Sequence, residues 1–325
     1  MSKPVCYDAE RIIPEIYIGV PSFLGLPVCK DSKELDQYDL TFMGVPWEGT
    51  CTYGGHSNCE QFVKTIREAS IRYGAYLPEY DIDAFDYFTG CDFGDSAVQN
   101  GNYARTSAFI LEKYQSILDN NSIPIVFGGD HSISPPLIDA FALNHGKRIG
   151  ILHFDCHLDN LNDYAGDPYA RCTPFRRLYE SENIDPTRIV HLGIRGPRNT
   201  PEGMRIAREV GATVITINEL KDNGWRSTIH KALDIVKNDT DAFYVSVCSD
   251  ITDVAFNPEG AVDACGVSSY ELGRMLFECG LAGAKSFDYV EVYPDSDGRN
   301  VSSHLACYMV VNFLCGLAMR KRDEG

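Results

Sequence analysis

The chain has 325 residues, 44% of them hydrophobic and 23% charged, which are the proportions of a soluble globular protein and exclude a disordered, coiled-coil or collagen-like chain. Its 29 Lys and Arg stand against 46 Asp and Glu, a formal charge of −17, which opposes nucleic acid and anionic membranes and permits a cationic small molecule. The opening MSKPVCYDAERIIPEIY carries no continuous apolar run, so neither a secretory signal nor a membrane anchor is expected there. The longest apolar stretch, Tyr308 to Met319, is broken by Asn312 and too short to span a bilayer. Twelve Cys lie scattered with no CxxC pair, and reduced thiols in a cytoplasmic protein are the expectation.

In chain order, short apolar runs rich in β-branched and aromatic residues alternate with helix-length segments, the pattern of βαβ units around a buried parallel sheet. The predicted strands are Leu40 to Val45, Ile123 to Phe127, Arg148 to Phe154, Arg188 to Ile194, Ala212 to Ile217, Ala242 to Val247 and Ser286 to Val292, with an eighth near Tyr87 to Phe93. Helical periodicity is clearest in Tyr103 to Leu118, where Ile110, Tyr114, Ile117 and Leu118 share a face, and in Ser302 to Met319. No internal repeat and no linker divides the chain, so residues 1–325 are read as one domain with a core from about 40 to 319. The loop from Asp159 to Thr173 is polar and long for a βα connection, which marks it as functional.

Ligands of open parallel sheets collect at the carboxyl ends of the strands. Four predicted ends carry metal-ligand residue types. Ile123 to Phe127 ends in Gly128-Gly129-Asp130-His131-Ser132, Arg148 to Phe154 in Asp155-Cys156-His157-Leu158-Asp159, and Ala242 to Val247 in Cys248-Ser249-Asp250; Ser286 to Val290 runs into Glu291. If the second of these stays extended, Asp155, His157 and Asp159 project to one side. A capping or core role accounts for His131 alone, and a solvated polar loop for Asp155, His157 and Asp159 alone; both sets at successive strand ends favour a divalent-cation site of mixed His and carboxylate donors such as Mn²⁺ takes.

These residues resemble the ureohydrolase family of arginase, agmatinase, guanidinobutyrase and formiminoglutamase. The resemblance runs from about Leu40 to Met319 through Gly44-Val45-Pro46, Ile66-Arg67-Glu68-Ala69-Ser70, Asp92-Phe93-Gly94-Asp95, the GGDHS and DxHxD runs, Ser246 to Pro258, Gly266-Val267-Ser268 and Asp288-Tyr289-Val290-Glu291-Val292. It implies a three-layer αβα fold on a mainly parallel eight-stranded sheet, a centre of two Mn²⁺ ions, and a trimeric or hexameric homo-oligomer. The implied metal ligands are His131, Asp155, His157, Asp159, Cys248 and Asp250. Asp159 would also orient the attacking water, Glu291 would hold the substrate guanidinium, and Arg171 and Asn160 would contact substrate. The implied reaction is hydrolysis of the C–N bond of a guanidino compound to urea and an amine, as in agmatinase.

Three positions depart from the family pattern. Cys248 stands where the relatives place an Asp shared by both metals, and a thiolate there is softer and has one donor atom, which admits Ni²⁺ or a single ion. A ligand or reactive thiol on one side and an inert core residue on the other are equally good readings of Cys248. Arg171-Cys172 replaces the relatives' His-Gly ahead of Thr173-Pro174-Phe175; an Arg is no base at neutral pH but binds carboxylate or phosphate. Tyr53-Gly54-Gly55-His56-Ser57-Asn58-Cys59 replaces their turn after the first strand. These departures leave open a non-catalytic homologue with a structural or regulatory role, and an amidine hydrolase using Cys248 as nucleophile.

Overall fold

Eight strands form one sheet, and every neighbouring pair in it is parallel. They are β1 (Leu40–Gly44), β4 (Gly90–Asp95), β5 (Ile123–Phe127), β6 (Ile149–Phe154), β7 (Ile189–Ile194), β8 (Thr213–Thr216), β9 (Ala242–Cys248) and β10 (Ser286–Val290). A small antiparallel pair, β2 (Tyr76–Leu77) with β3 (Ile82–Asp83), lies apart from it. The sheet order is β4-β1-β5-β10-β9-β6-β7-β8. This computed structural model describes Pro4 and residues 21–52, 55–294 and 298–325. The rest of the opening segment, and Tyr53 and Gly54 of the turn after the first strand, lie outside the described residues.

The strands are apolar on both sides because helices cover both faces. Along β5 and β6, Ile125, Phe127, Leu152 and Phe154 pack into one cluster with the helices Phe62–Ser70, Trp225–Lys237, Ser269–Leu281 and Val301–Glu324. The alternate residues Val126, Ile149 and Ile151 pack into a second cluster with the helices Tyr103–Asp119, Ser134–Asn144 and Pro174–Glu180. This is the expected three-layer αβα arrangement, and the period-two side-chain alternation of a strand produces it.

Val301–Glu324 is the one described helix long and apolar enough to cross a membrane. Its apolar length is accounted for by packing: 78% of its most apolar window is buried inside the protein. It lies against Ser269–Leu281 through two glycines. A Cβ on Gly280 would meet the Phe313 carbonyl oxygen at 2.1 Å, and one on Gly316 would meet that of Phe277 at 2.1 Å. Only the missing side chains let the two backbones approach so closely.

Two predicted strands end early for local reasons. Ile217 belongs to the helix Ile217–Asn223, which the Thr216 hydroxyl caps by accepting from Glu219 N. The strand from Ser286 stops at Val290 because Glu291 takes a left-handed backbone, φ 63°. All eleven described cysteines are unpaired.

Candidate metal centre and adjoining cavity

The four strands whose ends carry the ligand-type residues, β5, β10, β9 and β6, are consecutive in the sheet. Sequence segments up to 160 residues apart are thereby placed side by side, as in the bond from His131 N to Glu291 Oε1, 2.7 Å. Asp130 caps the short turn His131–Ile133, its carboxylate accepting from Ser132 N, and so fixes His131 just beyond β5. Gly129 is required there: a Cβ would sit 1.7 Å from the Trp47 carbonyl oxygen. Cys248 is the last residue of β9, and Asp250 lies in the turn that follows.

All six candidate ligands come together, though not for the reason the alternation implied. The strand ends at Phe154, and Asp159 adopts a left-handed φ of 46°, so the segment from Asp155 to Asp159 bends rather than extends. The bend still turns the three side chains inward. His131 Nδ1 lies 3.2 Å from Asp155 Oδ2 and 3.1 Å from Asp159 Oδ2. His157 Nδ1 lies 2.9 Å from Asp250 Oδ2 and 3.5 Å from Asp155 Oδ1. The Cys248 Sγ, an Asp155 oxygen and an Asp250 oxygen lie within 4.8 Å of one another. Asp155 therefore faces two half-sites, one with His131 and Asp159, the other with His157 and Asp250, and Cys248 borders it.

The electrostatics of the cluster favour added positive charge. Burial opposes protonation of His131, yet Asp155 and Asp159 outweigh it and raise its pKa well above that of a free imidazole. His157 is raised likewise, with Asp250, Asp155 and Asp263 overcoming its burial. Burial pushes the Cys248 thiol up, and Asp155, Asp250 and Glu291 push it further. A thiol in that position stays protonated unless a cation compensates it.

Above the cluster lies a cavity of about 210 Å³ bordered by His157, Asp159, Cys248, Asp250, Arg171 and Glu291. Arg171 is 4% exposed, and its guanidinium is spread over a set of acceptors. Its Nη1 reaches Glu291 Oε2 at 3.1 Å, and Nη2 reaches Glu48 Oε1 at 2.9 Å. Nη1 also contacts Ser57 Oγ and the Tyr293 hydroxyl, each at 3.2 Å. Burial lifts the Glu291 carboxyl to about 7 even though Arg171 draws it down. Asn160 borders the cavity too, but its amide nitrogen donates to the Gly203 carbonyl at 2.9 Å.

A model of the Arginase family matches residues 38–316. The chain belongs to the arginase family. It is 31% identical over 307 residues to a guanidinopropionase of Pseudomonas aeruginosa, covering 93% of each chain. It is 32% identical over 294 residues to a formimidoylglutamase of Halalkalibacterium halodurans, covering 89% of this chain and 90% of that one. Among solved structures it is similar to the proclavaminate amidino hydrolase from Streptomyces clavuligerus, with TM-score 0.84, 27% identity and coverage of 94% and 99%. Membership of the arginase family makes the chain a hydrolase of C–N bonds.

The donor set of this arginase-family chain fits a divalent cation. His131 Nδ1 is fully buried between two carboxylate oxygens, and no hydrogen bond among the described residues satisfies it. A buried polar atom in that state calls for a partner. The oxygen and imidazole donors suit borderline-hard ions, and Cys248 is the one soft atom among them.

Several supporting residues escaped the sequence reading. Ser246 Oγ lies 3.1 Å from His131 Nε2 and donates to Asp288 Oδ1 at 2.7 Å. His153 Nε2 lies 2.9 Å from Asp155 Oδ2, and His157 Nε2 lies 3.5 Å from Asp263 Oδ2. Such outer contacts fix ring orientation in metal sites. Period two from Asp155 points to His153 within the strand; nothing local singles out Asp263 or Glu48.

Proposed function

We propose that the chain is a metal-dependent amidinohydrolase that adds water across the C–N bond of a guanidino compound and releases urea and an amine. The observation that carries this reading is the pair of half-sites sharing Asp155 beneath the cavity. The residues that would hold cations are His131, Asp155 and Asp159 on one side and Asp155, His157 and Asp250 on the other, with Cys248 between. Two Mn²⁺ ions fit the oxygen and imidazole donors; Ni²⁺ or a single ion would accommodate the soft Cys248. When bound, such ions supply Lewis acidity and lower the pKa of water. In this reading residues 1–325 work as one unit, a cytoplasmic homo-oligomer of three or six copies.

The chain's own groups position the reactants. Asp159, at the cavity floor, orients the attacking water by accepting its hydrogen bond. Glu291 presents a carboxylate to the planar cation of the substrate, a charge-assisted contact that aims the central carbon at that water. The buried Ser246–His131 contact keeps the imidazole from rotating as charge develops.

A non-catalytic role has one specific observation in its favour: Glu291 is already paired with Arg171. A Cys248 nucleophile has none, since burial and the four surrounding carboxylates keep the thiol protonated. The test is urea release from guanidino and amidino compounds by Mn²⁺- or Ni²⁺-loaded protein. Release that disappears in a folded His157→Ala variant supports the hydrolase; no product from any compound would transfer the case to the non-catalytic reading.

A further inference from the structure

Both oxygens of Glu291 are engaged. Oε1 accepts from the His131 backbone N–H at 2.7 Å. Oε2 accepts from Arg171 Nη1 at 3.1 Å and from the Tyr293 hydroxyl. On its other edge, the Arg171 guanidinium is held by Glu48 at 2.9 Å, whose Oε1 also accepts from Ser57 N and Ser57 Oγ, each at 2.7 Å. The planar cation on Glu291 thus belongs to the protein itself, and it is 4% exposed at the wall of the cavity.

A guanidinium binds a carboxylate best through two parallel N–H···O bonds. A second guanidinium meets a carboxylate with no free oxygen and a like charge beside it. A simple alkylguanidine that displaces Arg171 leaves that cation with Glu48 as its remaining carboxylate partner and sets two like charges side by side in a buried place, which is costly. A ligand that carries an anion as well meets no such loss. Its carboxylate can take Arg171 while its guanidinium takes Glu291, so that one buried ion pair is exchanged for two.

We infer that Arg171 is a specificity-determining residue that, through its pairing with Glu291, selects zwitterionic guanidino acids over simple alkylguanidines. The inference rests on the amidinohydrolase reading for the chemistry, but the selection itself is a matter of binding. Arg171 is a positioning and selecting group; it does not enter the bond-breaking step. Its fork geometry matters, since Nη1 serves Glu291 while Nη2 serves Glu48, and Lys in its place keeps the charge but loses the planar pair of donors.

The experiment compares 3-guanidinopropanoate with propylguanidine as probes on metal-loaded protein, read as Kd, or as KM and kcat separately where turnover occurs. Wild type should bind the acid at least tenfold more tightly than the alkylguanidine. Arg171→Ala should bind propylguanidine at least tenfold more tightly than wild type does and lose the preference for the acid. Melting temperature and metal content establish that the variant is folded and loaded. If Arg171→Ala does not fold, Arg171→Lys serves, with a shift in the same direction. Equal affinity of wild type for the two probes, or a ratio unchanged by either variant, overturns the inference. Absence of hydrolysis in every protein alongside the predicted binding ratio counts against the amidinohydrolase reading alone.

Discussion

Ser246 Oγ stands 3.1 Å from His131 Nε2, on the side of the ring opposite the carboxylates. Asp288 in turn accepts from Ser246 at 2.7 Å, and also from Tyr244 and Ser134, each at 2.8 Å. All these residues are buried, so the imidazole has little freedom and Nδ1 is kept aimed at Asp155 and Asp159. Ser246→Ala should therefore preserve the fold while weakening metal binding by about 10- to 100-fold, the usual effect of losing an outer contact of a metal-site histidine. Equilibrium Mn²⁺ titration with circular dichroism as the folding control reads this out. An unchanged affinity would show that packing alone orients the ring.

Cys248 should behave as a protected thiol. It is 2% exposed, and its neighbours hold it protonated, whereas Cys265 is exposed. Iodoacetamide at neutral pH should modify Cys265 well before Cys248 in the native protein, as peptide mass spectrometry can show. Cys248→Asp replaces one soft donor by a carboxylate able to reach two hard cations, and Mn²⁺ should bind more tightly, so that occupancy rises at sub-saturating metal. Selective labelling of Cys248 would instead favour the nucleophile.

Gly129→Ala should disturb the site through the backbone. The added Cβ would meet the Trp47 carbonyl at 1.7 Å, and the same carbonyl accepts from Asp130 N at 3.0 Å. Moving the strand to relieve the clash would displace His131 as well. A loss of roughly 3 kcal/mol, at the upper end for overpacking, is expected in denaturant unfolding, together with reduced metal affinity. A variant as stable as wild type would contradict the close approach.

The helix Ser269–Leu281 starts with a capping box: Ser268 Oγ accepts from Glu271 N at 3.2 Å, and Glu271 Oε2 accepts from Ser268 N at 2.7 Å. Glu271→Ala should cost about 1 kcal/mol. Burial raises the Glu271 pKa, but Lys221 and Ser268 outweigh it and hold the carboxyl below its ordinary 4.5. A depressed folded pKa means the contribution is present above pH 4.5 and fades as acid protonates the folded carboxyl. The stability difference between wild type and Glu271→Ala should accordingly shrink below that pH. A difference independent of pH would remove the charged carboxylate from the account.

The sheet was legible because its strands are buried on both faces and so read as continuous apolar runs between helices, as Ile123–Phe127 and Ala242–Cys248 show. The candidate ligands were legible because the ends of parallel strands gather at one edge. Strand termini were less so: whether Glu291 continues a strand or turns left-handed depends on its bond from His131 N, 160 residues away in sequence. The pairing of Arg171 with Glu291 spans 120 residues and is shared with Glu48, in the loop after β1. No local spacing encodes such a contact. Residues read separately as two substrate contacts are partners of one another.

Asp155 is the residue on which both half-sites depend, so Mn²⁺ stoichiometry at equilibrium in wild type and Asp155→Asn tests the account most directly. Wild type, stripped and then titrated, should take up close to two ions per chain, and Asp155→Asn should lose affinity for both while keeping its circular dichroism spectrum. Wild-type protein that binds no divalent metal, or an Asp155→Asn variant that binds as wild type does, would contradict it.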